Sequence, residues 1–133
     1  MTWMLDTNTC SFVIRQRPIA VKERFDQVGH DNLAISTIVL AELQFGAALH
    51  PTRGTAILSD IEDFYQRLRV LAWTEAAARC YGQLRAQLQR AGTPIGNMDL
   101  LIAAHAVAEN AVLVTNNRRE FERVPGLRCE DWL

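Results

Sequence analysis

The chain has 133 residues, 49% of them hydrophobic, which suits one domain with one core and leaves no low-complexity stretch to argue for disorder. Fourteen basic residues against fifteen acidic ones give a formal net charge of −1, which excludes a protein held to nucleic acid by bulk positive charge but leaves room for a local basic rim. Thirteen of those cations are arginines and Lys22 is the lone lysine, so planar forks for phosphate or carboxylate are abundant.

In chain order, Trp3 to Leu5 reads as the end of a first strand. Asn8 or Thr9 can cap a helix through Ser11, Phe12 and Val13 that breaks around Pro18, and a second short helix covers Ile19 to Gln27. "LAIS", Leu33 to Ser36, is a strand of β-branched and small apolar residues, and "TIVLAELQFGAALH" follows as a helix capped by Ser36 or Thr37. A long helix from about Gly54 to Arg67 leads into the strand "RVLAW". "TEAAARCYGQLRAQLQRAG" is the clearest helix: Thr74 caps it, strong helix formers fill it and Gly92 closes it. After the turn "TPIGN" comes the almost wholly apolar helix "MDLLIAAHAVAEN". "AVLVTN" is a buried strand, because four successive apolar residues offer no solvent face, and "LRCEDW" is a last strand or edge segment. Strands thus alternate with helices, which predicts a single three-layer α/β/α domain over residues 1–133 with a central, mainly parallel sheet.

The apolar runs are interrupted within a few residues, so no membrane span is expected. No basic start leads into an apolar stretch with a small-residue cleavage pattern, so the expected location is cytoplasmic. Cys10, Cys80 and Cys129, with His30, His50 and His105, form no zinc spacing and read as structural or incidental.

Four acids stand out by their company. Asp6 follows the first strand, at the sheet end where open parallel sheets bind ligands; it is either a ligand or an N-cap or turn aspartate. Glu42 shares a helical row with Ile38, Phe45 and Leu49, an apolar stripe in which a carboxylate needs either a cation or a buried arginine. Asp99 opens the apolar helix after a glycine-bearing turn and is either its cap or a second ligand. Glu120 lies three residues past Asn117, behind the "TN" of the last buried strand, and otherwise reads as a solvated helix start.

Carboxylates on separate elements that converge repel one another and require a cation. Without a histidine or cysteine cluster the hard ions Mg2+ or Mn2+ fit, and no EF-hand loop favours calcium. Such a site hydrolyses phosphodiesters, with Asp6, Glu42 and Asp99 holding the metal. Thr7 and Asn8 beside Asp6, and Thr115, Asn116 and Asn117 behind the last strand, supply supporting hydrogen bonds. No histidine–carboxylate spacing identifies a base for Ser11 or Cys10. Neither a GxxxxGK[ST] nor a GxGxxG motif is present.

Taken together, "MLDTNTC", "ISTIVLAEL..G", "GTPIGNMDLLIAAHA", "LVTNNRREFERVPGL" and "EDW" resemble the PIN-domain ribonucleases, and more closely the VapC toxins of toxin–antitoxin pairs. The resemblance implies catalytic acids at Asp6, Glu42 and Asp99 of an Mg2+-dependent endoribonuclease. In many relatives a fourth acid follows the "TN" pair; here Asn117 stands in that place, and Glu120 is the residue available to compensate. The resemblance further implies structured RNA as substrate, tRNA and initiator tRNA among the candidates. Implied partners are a VapB-like antitoxin that covers the cleft and brings operator DNA, and a second copy of the toxin. Arg15, Arg17, Lys22 and Arg24 on one side, and Arg118, Arg119 and Arg123 on the other, are candidate RNA-phosphate contacts or simply solvated surface. Two other readings stay open: a PIN-like nuclease outside a toxin–antitoxin pair, and a weakly catalytic RNA- or protein-binding domain with a structural cation.

Overall fold

Continuous apolar runs can form strands only where both faces are covered, and that constraint sets the architecture. A computed structural model describes residues 1–133. β1 (Trp3–Leu5), β2 (Leu33–Ser36), β3 (Arg69–Leu71), β4 (Val112–Val114) and β5 (Arg128–Glu130) form one sheet in the order β3-β2-β1-β4-β5, with every neighbouring pair parallel. Met4, Leu5, Leu33, Ile35, Leu113 and Val114 are at most 1% exposed, as residues buried on both sides of a central sheet must be. The mainly parallel expectation is met by a wholly parallel sheet, and the final "LRCEDW" segment is the edge strand beside β4.

Seven α-helices connect the strands: α1 (Thr7–Arg15), α2 (Ile19–Val28), α3 (Thr37–Leu49), α4 (Gly54–Tyr65), α5 (Glu75–Arg90), α6 (Asn97–Ala108) and α7 (Arg118–Phe121). The chain runs outward from β1 through β2 to β3, then returns across the sheet to β4 and β5. Right-handed crossovers in these two directions put α1–α4 on one face and α5–α7 on the other. The reversal falls between β1 and β4, which is the topological switch point where open α/β sheets bind ligands. No helix is long and apolar enough to cross a membrane.

Helix ends explain where several sequence boundaries shift. Asp6, not Asn8 or Thr9, caps α1: its Oδ1 accepts the Thr9 N–H at 2.8 Å, and the helix therefore begins at Thr7. α5 ends at Arg90, and Gly92 takes the left-handed φ of 71° that its closing turn needs. The Thr93 N–H bonds back to Leu88 O and the Gly92 N–H to Gln89 O, a Schellman ending. β3 stops at Leu71, so Ala72 and Trp73 of "RVLAW" lie beyond it.

A larger correction concerns α3. Of the Ile38–Glu42–Phe45–Leu49 row, expected to face the core, Ile38 and Glu42 are only partly buried, and Phe45 and Leu49 turn outward at 66% and 70% exposed. The buried row is Val39, Leu43 and Ala47. α3 is apolar nearly all round, so its sequence does not single out one face, and packing against α4 decides. That packing is close: a Cβ on Gly54 would lie 2.8 Å from the Ala47 carbonyl oxygen. Gly54→Ala should therefore destabilise the fold by about 1–3 kcal/mol, the usual cost of overpacking, despite alanine's better helix propensity. Urea unfolding would measure it, and an unchanged midpoint would refute the close α3–α4 approach.

Candidate active site

Asp6 stands where β1 becomes α1. Its N–H donates to Val114 O at 3.0 Å, which pins it beside β4, and the Thr9 hydroxyl donates to the same carbonyl at 3.1 Å. The side chain is 5% exposed. Burial raises its pKa above the ordinary value; hydrogen bonds from Thr115 and Thr9 oppose the rise, and the charge of Asp131 adds to it. Asp6 is thus a helix cap and a member of an acidic cluster at once, the two readings its sequence leaves open.

Glu42 is half-buried on α3, and its Oε1 accepts the Thr7 hydroxyl at 2.6 Å. No arginine reaches it, so the buried-ion-pair alternative is absent. Asp99 occupies the third position of α6. Gly96 is the N-cap residue, so Asp99 is not the cap. Its pKa rises from 3.8 to about 6, first through burial, then through the neighbouring Glu120, then through the charges of Asp6 and Glu42. Four carboxylates on four separate elements therefore feel one another at the carboxyl end of the sheet.

The last of these is held by its own donors. Glu120 Oε1 accepts the Gly96 N–H at 3.0 Å, and its Oε2 accepts Asn117 Nδ2–H at 2.8 Å. Asn117 in turn donates its N–H to the Thr115 hydroxyl at 2.9 Å. Where a fourth acid was expected after "TN", the asparagine instead orients an acid one turn further on. Asn8 and Asn116 are exposed and make no side-chain hydrogen bond.

The seven candidate cations separate into two groups. Lys22 pairs with Asp26 and Arg24 with Glu130, Arg118 faces Glu122, and Arg123 donates to Pro94 O. Arg15, Arg17 and Arg119 have no acidic partner. A cavity of about 550 Å³ lies beside Glu42 and Thr7, between α1, α3 and α4, with Arg15 and Arg53 among its lining residues. Arg53 was not singled out in the sequence. Its place depends on the turn between α3 and α4, which carries no sequence signal for a site. The cavity excludes Asp6 and Asp99, so it flanks the acidic cluster and does not contain it.

The donor set suits a hard divalent cation. It is all oxygen and acidic, and not one of its four carboxylates belongs to a salt bridge in a chain that carries thirteen arginines. No three acidic, histidine or cysteine side chains are gathered tightly enough to grip an ion by themselves. A hard divalent cation that keeps several of its waters and takes one or two carboxylates together with substrate phosphate needs no tighter cage.

The charge crowding has a sign that can be tested. Asp99 is protonated more readily in the folded chain than in the unfolded one, so its contribution to stability is fully present below about pH 4 and is lost as pH rises through about 6. Asp99→Asn removes that repulsion. In metal-free buffer at pH 7.5 the variant should melt higher than the parent, and the gap should close towards pH 4. A gap independent of pH would refute the electrostatic origin.

The chain matches the PIN domain family over residues 3–127. It is 48% identical to the "tRNA(fMet)-specific endonuclease VapC" of Salmonella typhimurium, over 99% of this chain and 98% of that one. It is 43% identical to "Ribonuclease VapC2" of Rickettsia felis, again over 99% and 98%. Among solved structures, DNA-bound VapBC from Salmonella typhimurium superposes with a TM-score of 0.94 at 46% identity, covering 100% of this chain and 99% of that one. VapBC2 from Rickettsia felis, bound to a promoter DNA fragment, gives 0.92 at 41% identity with both chains fully covered. A parallel five-stranded sheet with acids at its switch point, matched along its length by these proteins, belongs to the PIN-domain family, and within it to the VapC-like ribonucleases.

Proposed function

We propose that this chain is the toxin of a VapBC-type pair, an Mg2+-dependent endoribonuclease that cleaves structured RNA, with tRNA and specifically initiator tRNA as the substrate class. The observation that carries the reading is the set of four acids without a cationic partner, Asp6, Glu42, Asp99 and Glu120. A structural cluster in an arginine-rich chain would be neutralised from within, whereas this one leaves its charge for an ion and a phosphodiester. The specificity named for the Salmonella relative supports initiator tRNA.

A divalent cation held among these oxygens would stabilise the charge developing on the phosphate and lower the pKa of the attacking water. Asp6, Glu42 and Asp99 would hold it, directly or through its bound waters, with Mn2+ a substitute for Mg2+. Asp6 is fixed against β4 and cannot swing away, and Glu42 keeps Oε2 free while Thr7 holds Oε1. Glu120, steadied by Gly96 and Asn117, takes the part of the fourth acid. Water oxygen joins phosphorus as the bond to the 3′ oxygen breaks, leaving a 5′-phosphate and a 3′-hydroxyl. Arg15 and Arg53 beside Glu42 would hold flanking phosphates, with Arg17 and Arg119 also free to do so.

A VapB-like antitoxin covering the acidic end would silence the enzyme and carry the pair to operator DNA, as the promoter-bound complexes of the relatives support. Exposed Phe45 and Leu49 offer apolar area to a second toxin copy or to that antitoxin.

Antitoxin-free protein should cut total RNA at discrete positions with Mg2+ and not with EDTA. Asp6→Asn, Glu42→Gln and Asp99→Asn should each lose about 10²-fold or more in rate while unfolding cooperatively. Glu120→Gln should lose about 10- to 100-fold. Full activity in Asp6→Asn or Asp99→Asn would sink the mechanism. Arg15→Ala and Arg53→Ala should raise KM and each flatten the salt dependence of RNA binding by about 0.7 in log–log slope. An unchanged slope would move the RNA path elsewhere.

A further inference from the structure

Away from the acids, the most deeply buried polar contact joins Ser36 to His105. Both residues are 0% exposed, and His105 Nδ1 lies 2.8 Å from Ser36 Oγ. The same Oγ accepts the Ile38 N–H at 3.1 Å and so caps α3. A buried capping serine still has a hydroxyl proton to place, and Nδ1 is the acceptor within reach. With Ser36 donating to Nδ1, the ring is neutral and carries its own proton on Nε2. That Nε2 has no hydrogen-bond partner: the Glu109 carboxylate stands 3.8 Å away. Burial, opposed by Glu109, holds the ring's pKa below its ordinary value, which agrees with a neutral imidazole.

Packing does not account for this histidine. A leucine would fill the same core without an unpaired polar atom, and replacing buried polar partners by apolar groups is often neutral or stabilising. What the contact holds together does account for it. Ser36 begins the helix that carries Glu42, and His105 sits on the helix that carries Asp99. The next residue, Thr37, reaches the same helix by a second path. Its hydroxyl accepts the Trp73 N–H at 3.2 Å, and Trp73 Nε1–H donates to Leu101 O at 3.0 Å. Two consecutive residues at the head of α3 are thus each bound to α6.

We propose that His105 is a positioning residue that acts through Ser36 to fix the head of α3 against α6, and hence the placing of Glu42 relative to Asp99. It touches neither substrate nor metal. The inference rests on the catalytic reading above, and it assigns a role to a residue that the sequence presents as incidental.

The test compares His105→Leu, His105→Asn, Ser36→Ala and the Leu/Ala double variant in three measurements: thermal unfolding, Mn2+ affinity by calorimetry, and RNA cleavage kinetics. An asparagine amide can stand where Nδ1 stands, whereas leucine cannot. His105→Leu should unfold within about 4 °C of the parent. It should lose about 10-fold or more in Mn2+ affinity and in kcat, with KM within about twofold, as is usual when a group orienting metal ligands is removed. His105→Asn should recover most of both losses. The double variant should be no worse than the poorer single variant, because both act through one contact. Parent-like Mn2+ affinity and kcat in His105→Leu would overturn the positioning role alone. So would a collapse in unfolding temperature that His105→Asn shares. A parent protein that neither binds Mn2+ nor cuts RNA would overturn the catalytic reading, and this one with it.

Discussion

Mutual repulsion among Asp6, Glu42, Asp99 and Glu120 is the constraint to which the rest of the molecule answers. Three of the four carboxylates are steadied by neutral donors: Asp6 by the Thr9 N–H, Glu42 by the Thr7 hydroxyl, and Glu120 by the Gly96 N–H and the Asn117 amide. Such donors orient an acid without cancelling its charge, unlike an arginine fork. The four arginines that do pair with acids spend their charge elsewhere, on Asp26, Glu75, Glu122 and Glu130. The residual negative field is therefore a property of how the chain distributes its hydrogen bonds, since the net charge is close to zero.

That arrangement sets function against stability. The carboxyl group of Asp99 stays protonated to a higher pH than a free one because the fold buries it and sets other acids beside it, so the fold is strained when Asp99 is ionised. A bound cation would relieve the strain, and so would a cationic side chain delivered by a protein partner. The same excess charge would thus couple folding to the binding of a cation or of a cationic partner. The unpaired nitrogen of His105 is a second small cost of this kind, lodged in the core.

Much of the architecture was legible because it depends on local pattern. The run Val112–Val114 could only be an interior strand, and the alternation of strands and helices led to a parallel sheet. Asp99, an acid heading an apolar helix, was conspicuous for the same reason. What the letters left open depended on packing. The outward turn of Phe45 and Leu49 follows from α3 meeting α4, not from periodicity, because the helix is apolar on both sides. Glu120 was a candidate from the sequence, but its hydrogen bonds to Asn117 and Gly96 needed the first turn of α7 to be seen, and Arg53 was invisible until the α3–α4 turn brought it beside Glu42. Asp6 proved to be the cap, and the same position at the switch point sets it beside the other acids.

The pairing of β1 with β4 carries a consequence in time. The Thr9 hydroxyl that steadies the Asp6 turn bonds to Val114, 105 residues later in sequence, and Thr115 lies next along. During synthesis the first acid emerges long before the strand that pins it, and at ribosomal speeds of about 5–20 residues per second the delay lasts several seconds. Contacts of such high sequence separation also form late in folding. A nascent fragment therefore holds Asp6 without the strand that sets it among the other acids, and the acidic cluster is incomplete until β4 has been translated and docked.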